Sequence, residues 1–471
     1  MQPIRRGVLG SILVAVGGLL YAPVPSPSWV GSTPLLDGWR ATGAHLAIGL
    51  GLSALGLAIL TWAWWDLRAL AADRVEGVRL VRRAATWWAV PLLAAPPLFS
   101  GDGWSYVATG VLTGRGFSPY TYAPELLEAP LRSGVNGRWL ATPSPYGPLA
   151  LGWGAVWSHL TSDPWLLLVC YRLFALVGLA LLAWAVPRLA LRSGLHPGKA
   201  SWLVVASPFV IAHGVGGLHN DVVVAGFGAA ALALTDRRHW ILGAALAGAA
   251  ASVKVPGGLV AVGVVLLSLE PASTVLQRVG RAVQVGGAAG AVLIGLGWAA
   301  GTGTGWVKAL TVPTTIPSKL SLSHDIGVLI GSIPGLGPGA TVSFVQSVAV
   351  AGMALTAVLL VLVHRRRDEA TVLASVAVFM LGVTVFSPAV HYWYLLWCLP
   401  LLGCVPISRS WRAATVAATA VLGLTAFVDP SLHLPFLTAA TRWSLVLVPL
   451  AAGFAVRGQQ PGPAPVEPHI A

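Results

Sequence analysis

Apolar runs long enough to cross a bilayer follow one another down this chain with only short polar gaps between them, and that pattern excludes most folds. About twenty residues of helix, rising about 1.5 Å each, span the hydrocarbon core. Lipid tolerates only backbones that satisfy their own hydrogen bonds, so such runs are helices. Of 471 residues, 56% are hydrophobic and 10% charged, and the mean hydropathy is +0.77, which leaves too few charges to solvate a globular surface. The expected fold is an all-α, polytopic integral membrane protein. A formal charge of +13 does not point to nucleic acid, because the basic residues sit singly or in twos and threes between apolar runs, where orientation signals lie. Cys170, Cys398 and Cys404 fall inside apolar stretches, so no disulfide framework is implied.

Arginine clusters then thread the chain. Arg5 and Arg6 put the N-terminus inside, and the first run, which ends near Tyr21 without an A-x-A-like cleavage site, reads as a retained signal-anchor span. The second span, about residues 43 to 64, returns to a gap holding Arg68, Arg74, Arg79, Arg82 and Arg83. A third, about 85 to 100, emerges at Asp102, which is thereby extracytoplasmic. The alternation continues through Arg188, Arg192 and Lys199, then Arg237 and Arg238, Arg278 and Arg281, Arg365 to Arg367, and Arg409 and Arg412. It predicts about fourteen spans with both termini cytoplasmic; the expected location is the plasma membrane. Residues 148–160 are too short for a span and are expected at the outer interface or as a re-entrant helix. Residues 101–148 form the longest polar gap, expected to fold into short juxtamembrane helices. Residues 1–458 read as a single transmembrane domain, and the proline-rich tail 459–471 as a disordered cytoplasmic segment.

With that threading, unusual polar residues gather on the outer side: Asp102, His219-Asn220-Asp221, Lys254, His324-Asp325 and His391. An ionisable group at the end of a membrane span needs a cavity or a partner, which makes each a functional candidate. Each also has a plainer explanation. Asp102 precedes a helix-like run and suits an N-cap as well as a general base. Asn220 and Asp221 are ordinary turn residues. Lys254, beside a Pro256-Gly257-Gly258 break, could simply snorkel to water. The aromatics after His391 fit an interfacial belt, which leaves His391 itself unexplained. Arg172 lies about 12 Å inside a span and is expected to pair with a carboxylate or a lipid phosphate. No phosphate-binding loop, dinucleotide fingerprint or H-E-x-x-H motif occurs, so any chemistry must use an activated substrate delivered from the membrane, with no cofactor and no metal site.

The segments GDGWSYVATGVLTGRGFSPYTYAP, SPYGPLAL, GLHNDVVVAG, SVKVPGG and FSPAVHYWYLLW resemble, in order, the signatures of the actinobacterial polyprenol-phosphomannose-dependent α-1,6-mannopyranosyltransferases, of the GT-C superfamily. The resemblance runs over about residues 85 to 410. It implies a GT-C-like bundle, a polyprenyl-phosphate mannose donor, a lipid-anchored mannan acceptor and inverting transfer on the extracytoplasmic face. The early outer-loop aspartate that serves such enzymes as base corresponds to Asp102. Many GT-C enzymes carry a second acidic residue nearby and begin this loop after the first span. Here two further spans precede it and Gly103-Trp104 follow, which argues against a metal held by paired carboxylates.

Sugar transfer needs a base for the acceptor hydroxyl, cations for the departing phosphate and aromatic faces for sugar rings. Asp102 fits the first need. Lys254, His219, His391 and Arg172 fit the second. Trp104, Tyr106, Tyr120, Tyr122 and Tyr146, with Asn220 and Asp221, fit sugar and acceptor binding. A GT-C enzyme using another polyprenyl-phosphate sugar, such as arabinofuranose or glucose, is the nearest alternative. A transporter or flippase would instead place its polar groups near the midplane of repeated halves.

Overall fold

The computed structural model describes residues 1–315, 320–364, 368–428 and 439–455; Arg365 to Arg367 and the tail 459–471 lie outside them. The described residues are helical or irregular, with no strand among them. From the N-terminus the principal helices are α1 (Gln2–Tyr21), α2 (His45–Leu70), α3 (Glu76–Ala89), α4 (Asp102–Gly114), α5 (Gly137–Leu140), α6 (Pro148–Ser158), α7 (Pro164–Arg192), α8 (Asp221–Leu234), α9 (Trp240–Val253), α10 (Val275–Ala299), α11 (Pro338–Val363) and α12 (Glu369–Phe386). Six of these, α1, α2, α7, α10, α11 and α12, are long and apolar enough to cross a membrane. A seventh candidate is a bent pair, Val210–Gly216 followed by α8 at 114°. Several of the expected crossings correspond instead to shorter apolar helices such as α9 and Val255–Ser268. The protein is thus a polytopic helical membrane protein in which many helices are broken. Its cysteines are free.

Proline explains the clearest departure from the expected pattern. The span anticipated over residues 85 to 100 is helical only to Ala89, continues as a 3-10 turn through Ala94, and then runs irregularly to Asp102. Pro91, Pro96 and Pro97 each lack an amide hydrogen and crowd the preceding turn. Residues 101–148 also differ from the expected set of helices lying on a surface. Every residue of α4 from Asp102 to Thr113 is buried, and the helix packs between α6 and α7. Residues 148–160, expected at the outer interface or as a re-entrant helix, contribute the 11-residue α6.

One cation holds the breaks together. Arg172, fully buried in α7, donates from Nη1 to the carbonyl of Gly216 at 2.8 Å and from Nη2 to those of Ala95 at 3.2 Å and Pro96 at 2.9 Å. The amide of Leu98 donates to Gly216 as well, at 3.1 Å. Two unwound segments, one on the way to Asp102 and one on the way to Asp221, are thereby tied to a single helix. The expectation that Arg172 meets a carboxylate or a lipid phosphate is corrected here: a guanidinium presents donors in a planar fork, and broken helices supply the bare carbonyls that match it. Each buried carbonyl left unpaired costs about 1–3 kcal/mol. Arg172→Met is therefore expected to destabilise the fold by about 3 kcal/mol or more, and Arg172→Lys, which lacks the fork, by a large part of that. Thermal unfolding and the yield of monodisperse protein in detergent measure this; a normally stable Arg172→Met protein would refute the clamp.

Candidate active site

Four helix breaks deliver the polar groups. After the proline-rich segment, the chain passes Phe99 at φ 66° and enters α4 at Asp102. After the π-helical turn Val210–Gly216 it passes Leu218 at φ 58° and enters α8 at Asp221. A non-glycine residue in the left-handed region is strained, and here it stands three positions before each carboxylate. In the third break α9 stops at Val253, Lys254 is extended and a 3-10 turn follows, because Pro256 cannot continue the helix. The fourth, after α12, carries Ser387, Pro388 and His391 into the 3-10 turn Tyr392–Trp397.

The first, third and fourth of these breaks open on a cavity of about 340 Å³ whose lining includes Asp102, Trp139, Tyr146, Lys254, His391 and Tyr394. Asp102 does not cap its helix; Gly101 holds the N-cap position with no side-chain bond. Its Oδ1 accepts the indole N–H of Trp139 at 2.8 Å, and its Oδ2 accepts the hydroxyls of Tyr106 at 3.3 Å and Tyr146 at 3.4 Å. His219 Nδ1 lies 3.6 Å from Oδ2, too long for a hydrogen bond. Burial pushes the carboxyl up, but His219, then His391 and Lys254, outweigh it and hold Asp102 down at about 2. Since this lies below the ordinary aspartate value of about 3.9, the stabilisation from ionised Asp102 is complete above that pH and is lost as pH falls through the lower value. Burial, partly opposed by Asp102 and reinforced by Lys254, lowers His391 to about 4, so its imidazole is neutral at pH 7.

A second carboxylate sits behind the first. Asp221, with no exposed surface, pairs through Oδ1 with Lys254 Nζ at 3.0 Å and with the Trp397 indole N–H at 2.7 Å. The Lys254 ammonium also lies 4.0 Å from the Tyr394 ring centroid and 5.7 Å from that of Tyr146. It is therefore a paired, aromatic-enclosed cation and does not snorkel. Tyr146 reaches it because Gly147 sits against the α9 break, its amide bonded to the Val253 carbonyl at 2.9 Å. A Cβ at Gly147 would stand 2.3 Å from the Ser252 carbonyl oxygen.

Several candidates have other places. His219 is fully buried and stacks on Trp393 at 3.8 Å, while His391 stacks on the opposite side of that ring system at 4.4 Å. Asn220 is buried behind the cavity wall, its Nδ2 without a hydrogen-bond partner among the described residues. Trp104 donates to the Pro23 carbonyl at 2.9 Å and packs edge-on to Trp165, fixing α4 to the segment after α1. Tyr120 donates to the Tyr146 carbonyl at 3.0 Å and supports the wall from behind. Tyr122 is exposed. His324 and Asp325 pair with each other on a separate short helix. Sequence reasoning missed Trp139 and misread Trp393, Tyr394 and Trp397: the aromatics expected in an interfacial belt are buried and hold the charged groups of the site. The nearest signal was their placement directly after an unexplained His391. No group of three or more potential metal ligands converges among the described residues.

Helix breaks that collect an ionised carboxylate, a paired lysine and aromatic faces around a small cavity are the construction of a membrane-embedded enzyme. The chain belongs to the alpha-(1->6)-mannopyranosyltransferase family: residues 4–270 match the model described as "Alpha-(1->6)-mannopyranosyltransferase, N-terminal domain", and residues 320–453 match the "MptB C-terminal domain". It is similar to alpha-(1->6)-mannopyranosyltransferase A of Mycobacterium tuberculosis, 32% identical over 451 residues, covering 90% of this chain and 83% of that protein. Similarity extends to alpha-(1->6)-mannopyranosyltransferase B of Corynebacterium glutamicum, 30% identical over 435 residues, covering 83% of this chain and 71% of that protein. The protein is a mannosyltransferase.

Trp139 offers a direct test of the site electrostatics. A hydrogen bond to a charged group contributes about 1.5–3 kcal/mol, and removing a donor from a carboxylate raises its pKa. Trp139→Phe keeps the ring but loses the N–H, so the acid limb of kcat/KM should move up by about one pH unit, at 1.36 kcal/mol per unit. An acid limb unmoved in this variant would mean that the 2.8 Å contact does not govern Asp102.

Proposed function

We propose that the enzyme transfers mannose from a polyprenyl-phosphate mannose donor to a lipid-anchored mannan, forming an α-1,6 linkage on the extracytoplasmic face of the plasma membrane. Asp102 is the general base. It takes the proton of the acceptor hydroxyl as that oxygen bonds to the anomeric carbon, and the bond from that carbon to the phosphate oxygen breaks with its electron pair leaving on the polyprenyl phosphate. A β-linked donor then yields an α-linked product by one inversion, without a covalent sugar-enzyme intermediate and without a metal ion. Lys254 faces the leaving phosphate as the fixed cation of the cavity wall, kept charged by Asp221 at 3.0 Å. Its reach is shared with that carboxylate, so it acts by charge more than by freely wrapping the phosphate. Tyr146 and Tyr394 supply sugar-stacking faces.

The observation that carries this reading is the Asp102 carboxylate itself, 7% exposed, fed by three side-chain donors and opening on a cavity wall that also holds Lys254. A lipid-linked donor is supported by a second feature. An apolar groove of about 1020 Å³ between α11 and α12 shares Met353 and Val383 with the polar cavity. An isoprenoid chain would lie there with its phosphate turned toward Lys254. Mycobacterial and corynebacterial relatives with this enzymatic name fit a role in building lipomannan of the cell envelope.

Asn retains the shape of Asp but cannot accept the acceptor proton. Asp102→Asn should lower turnover about 10²- to 10⁴-fold in protein that folds normally, whereas Lys254→Met should chiefly weaken donor use. The assay is transfer from labelled polyprenyl-phosphate mannose to a short mannoside in membranes, with the arabinofuranose and glucose donors alongside. Near-normal turnover of Asp102→Asn would overturn Asp102 as the base, and chelator-sensitive activity restored by a divalent ion would end the metal-independent scheme. Sidedness is read separately. Arg138 is exposed beside the cavity, so a cysteine there, in a chain lacking Cys170, Cys398 and Cys404, should react with an impermeant reagent added outside intact cells.

A further inference from the structure

At the opposite end of α7 from the bent outer segments, four arginines line one recess. Arg74, Arg79 and Arg82, the last two on α3, and Arg188 on α7 surround a cavity of about 400 Å³ that has no carboxylate in its lining. The acids nearby are engaged elsewhere. Asp73 accepts the amides of Val75 at 2.8 Å and Glu76 at 2.7 Å, and Glu76 makes a 3.5 Å contact with Arg79 in which both side chains are largely exposed, a pairing of little strength in water. Arg82 is fixed for a reason that can be read from the sequence: Pro187 inside α7 leaves the Ala183 carbonyl without its helical amide, and Arg82 Nε donates to that oxygen at 2.9 Å. Arg188 is held over the Trp184 ring at 4.3 Å.

Arg82 is also the first residue of a second cavity, of about 460 Å³, lined by Ala85, Ala89 and Leu93 on one side and Leu176, Ala180 and Ala183 on the other. From Arg82 to Leu93 this groove runs about 16 Å along the helix direction, close to half of a hydrocarbon core about 30 Å thick. A cationic recess at a helix end thus continues into an apolar trough one leaflet long.

We propose that this pair of cavities binds an anionic glycerophospholipid of the cytoplasmic leaflet, with its phosphate among Arg74, Arg79, Arg82 and Arg188 and an acyl chain in the groove between α3 and α7. The leaflet follows from the arginine threading that makes residues 68–83 cytoplasmic. Basic pockets between membrane helices on that side suit polyanionic headgroups, and unbalanced guanidinium groups favour a lipid with two phosphates, such as cardiolipin, over one with a single phosphate. The site is independent of the sugar-transfer chemistry and survives any revision of it.

The test uses full-length protein, delipidated in mild detergent, with lipid binding counted by native mass spectrometry and stability followed by thermal shift. Cardiolipin should be retained and should raise Tm, phosphatidylglycerol less so and phosphatidylcholine hardly at all. Arg74→Gln with Arg188→Gln, both exposed positions, should weaken cardiolipin binding about thirtyfold, about fivefold per arginine, with the lipid-free Tm unchanged. Ala180→Trp, which fills the groove and alters no charge, should release the lipid as well. Equal retention of cardiolipin and phosphatidylcholine, or cardiolipin binding unchanged in the double variant, would overturn the proposal. Displacement of cardiolipin by millimolar glycerol phosphate would overturn it too, by reducing the site to a headgroup-sized anion pocket.

Discussion

The guanidinium of Arg172 is the contact on which the candidate site rests. Breaking a membrane helix exposes carbonyls and amides in a medium that offers them nothing, and such breaks survive only where protein supplies partners. Arg172 supplies three bonds at once, joining Ala95 and Pro96 on one segment to Gly216 on another. Both segments then pass through a left-handed residue and begin a helix with an aspartate. A cation deep in a span thereby sets the separation of Asp102 and Asp221 without touching either.

Around those aspartates aromatic groups do the work that water would do in an open site. Indole N–H groups from Trp139 and Trp397 and phenol hydroxyls from Tyr106 and Tyr146 solvate the carboxylates, while the Tyr394 ring faces the Lys254 ammonium. Such donors reorganise little when a nearby charge changes, so the carboxylates are held in place without bulk water. The strong depression of Asp102 has a chemical consequence: the carboxylate is ionised throughout the physiological range, and in the proposed transfer its weak intrinsic basicity would put the demand on positioning of the acceptor hydroxyl.

The membrane class, the enzyme family and much of the polar cluster were legible in the sequence. Apolar runs and the five ordered motifs are local features, and Asp102, Lys254 and His391 stood out because a charged or titratable group is anomalous beside them. Less legible were the roles. Lys254 and a snorkelling lysine have the same sequence signature; what separates them is Asp221, 33 positions away. Trp139 carries no local anomaly at all, being one tryptophan in a polar loop until the fold lays it 2.8 Å from Asp102. Arg172 was conspicuous for its depth, yet its carbonyl partners lie 44 and more residues distant.

By itself the sequence determined a helical membrane protein with unusual titratable groups at the ends of its apolar runs, because hydropathy acts residue by residue on insertion. It also determined where helices fail, since proline removes its own hydrogen bond wherever it stands. Only the tertiary structure decided which groups are paired, which are buried, and which face the cavity. Stacking His219 and His391 on Trp393, enclosing Lys254, and turning Arg172 onto backbone carbonyls all require contacts between segments far apart in the chain. The energy of a buried charge depends on such contacts far more than on its sequence neighbours.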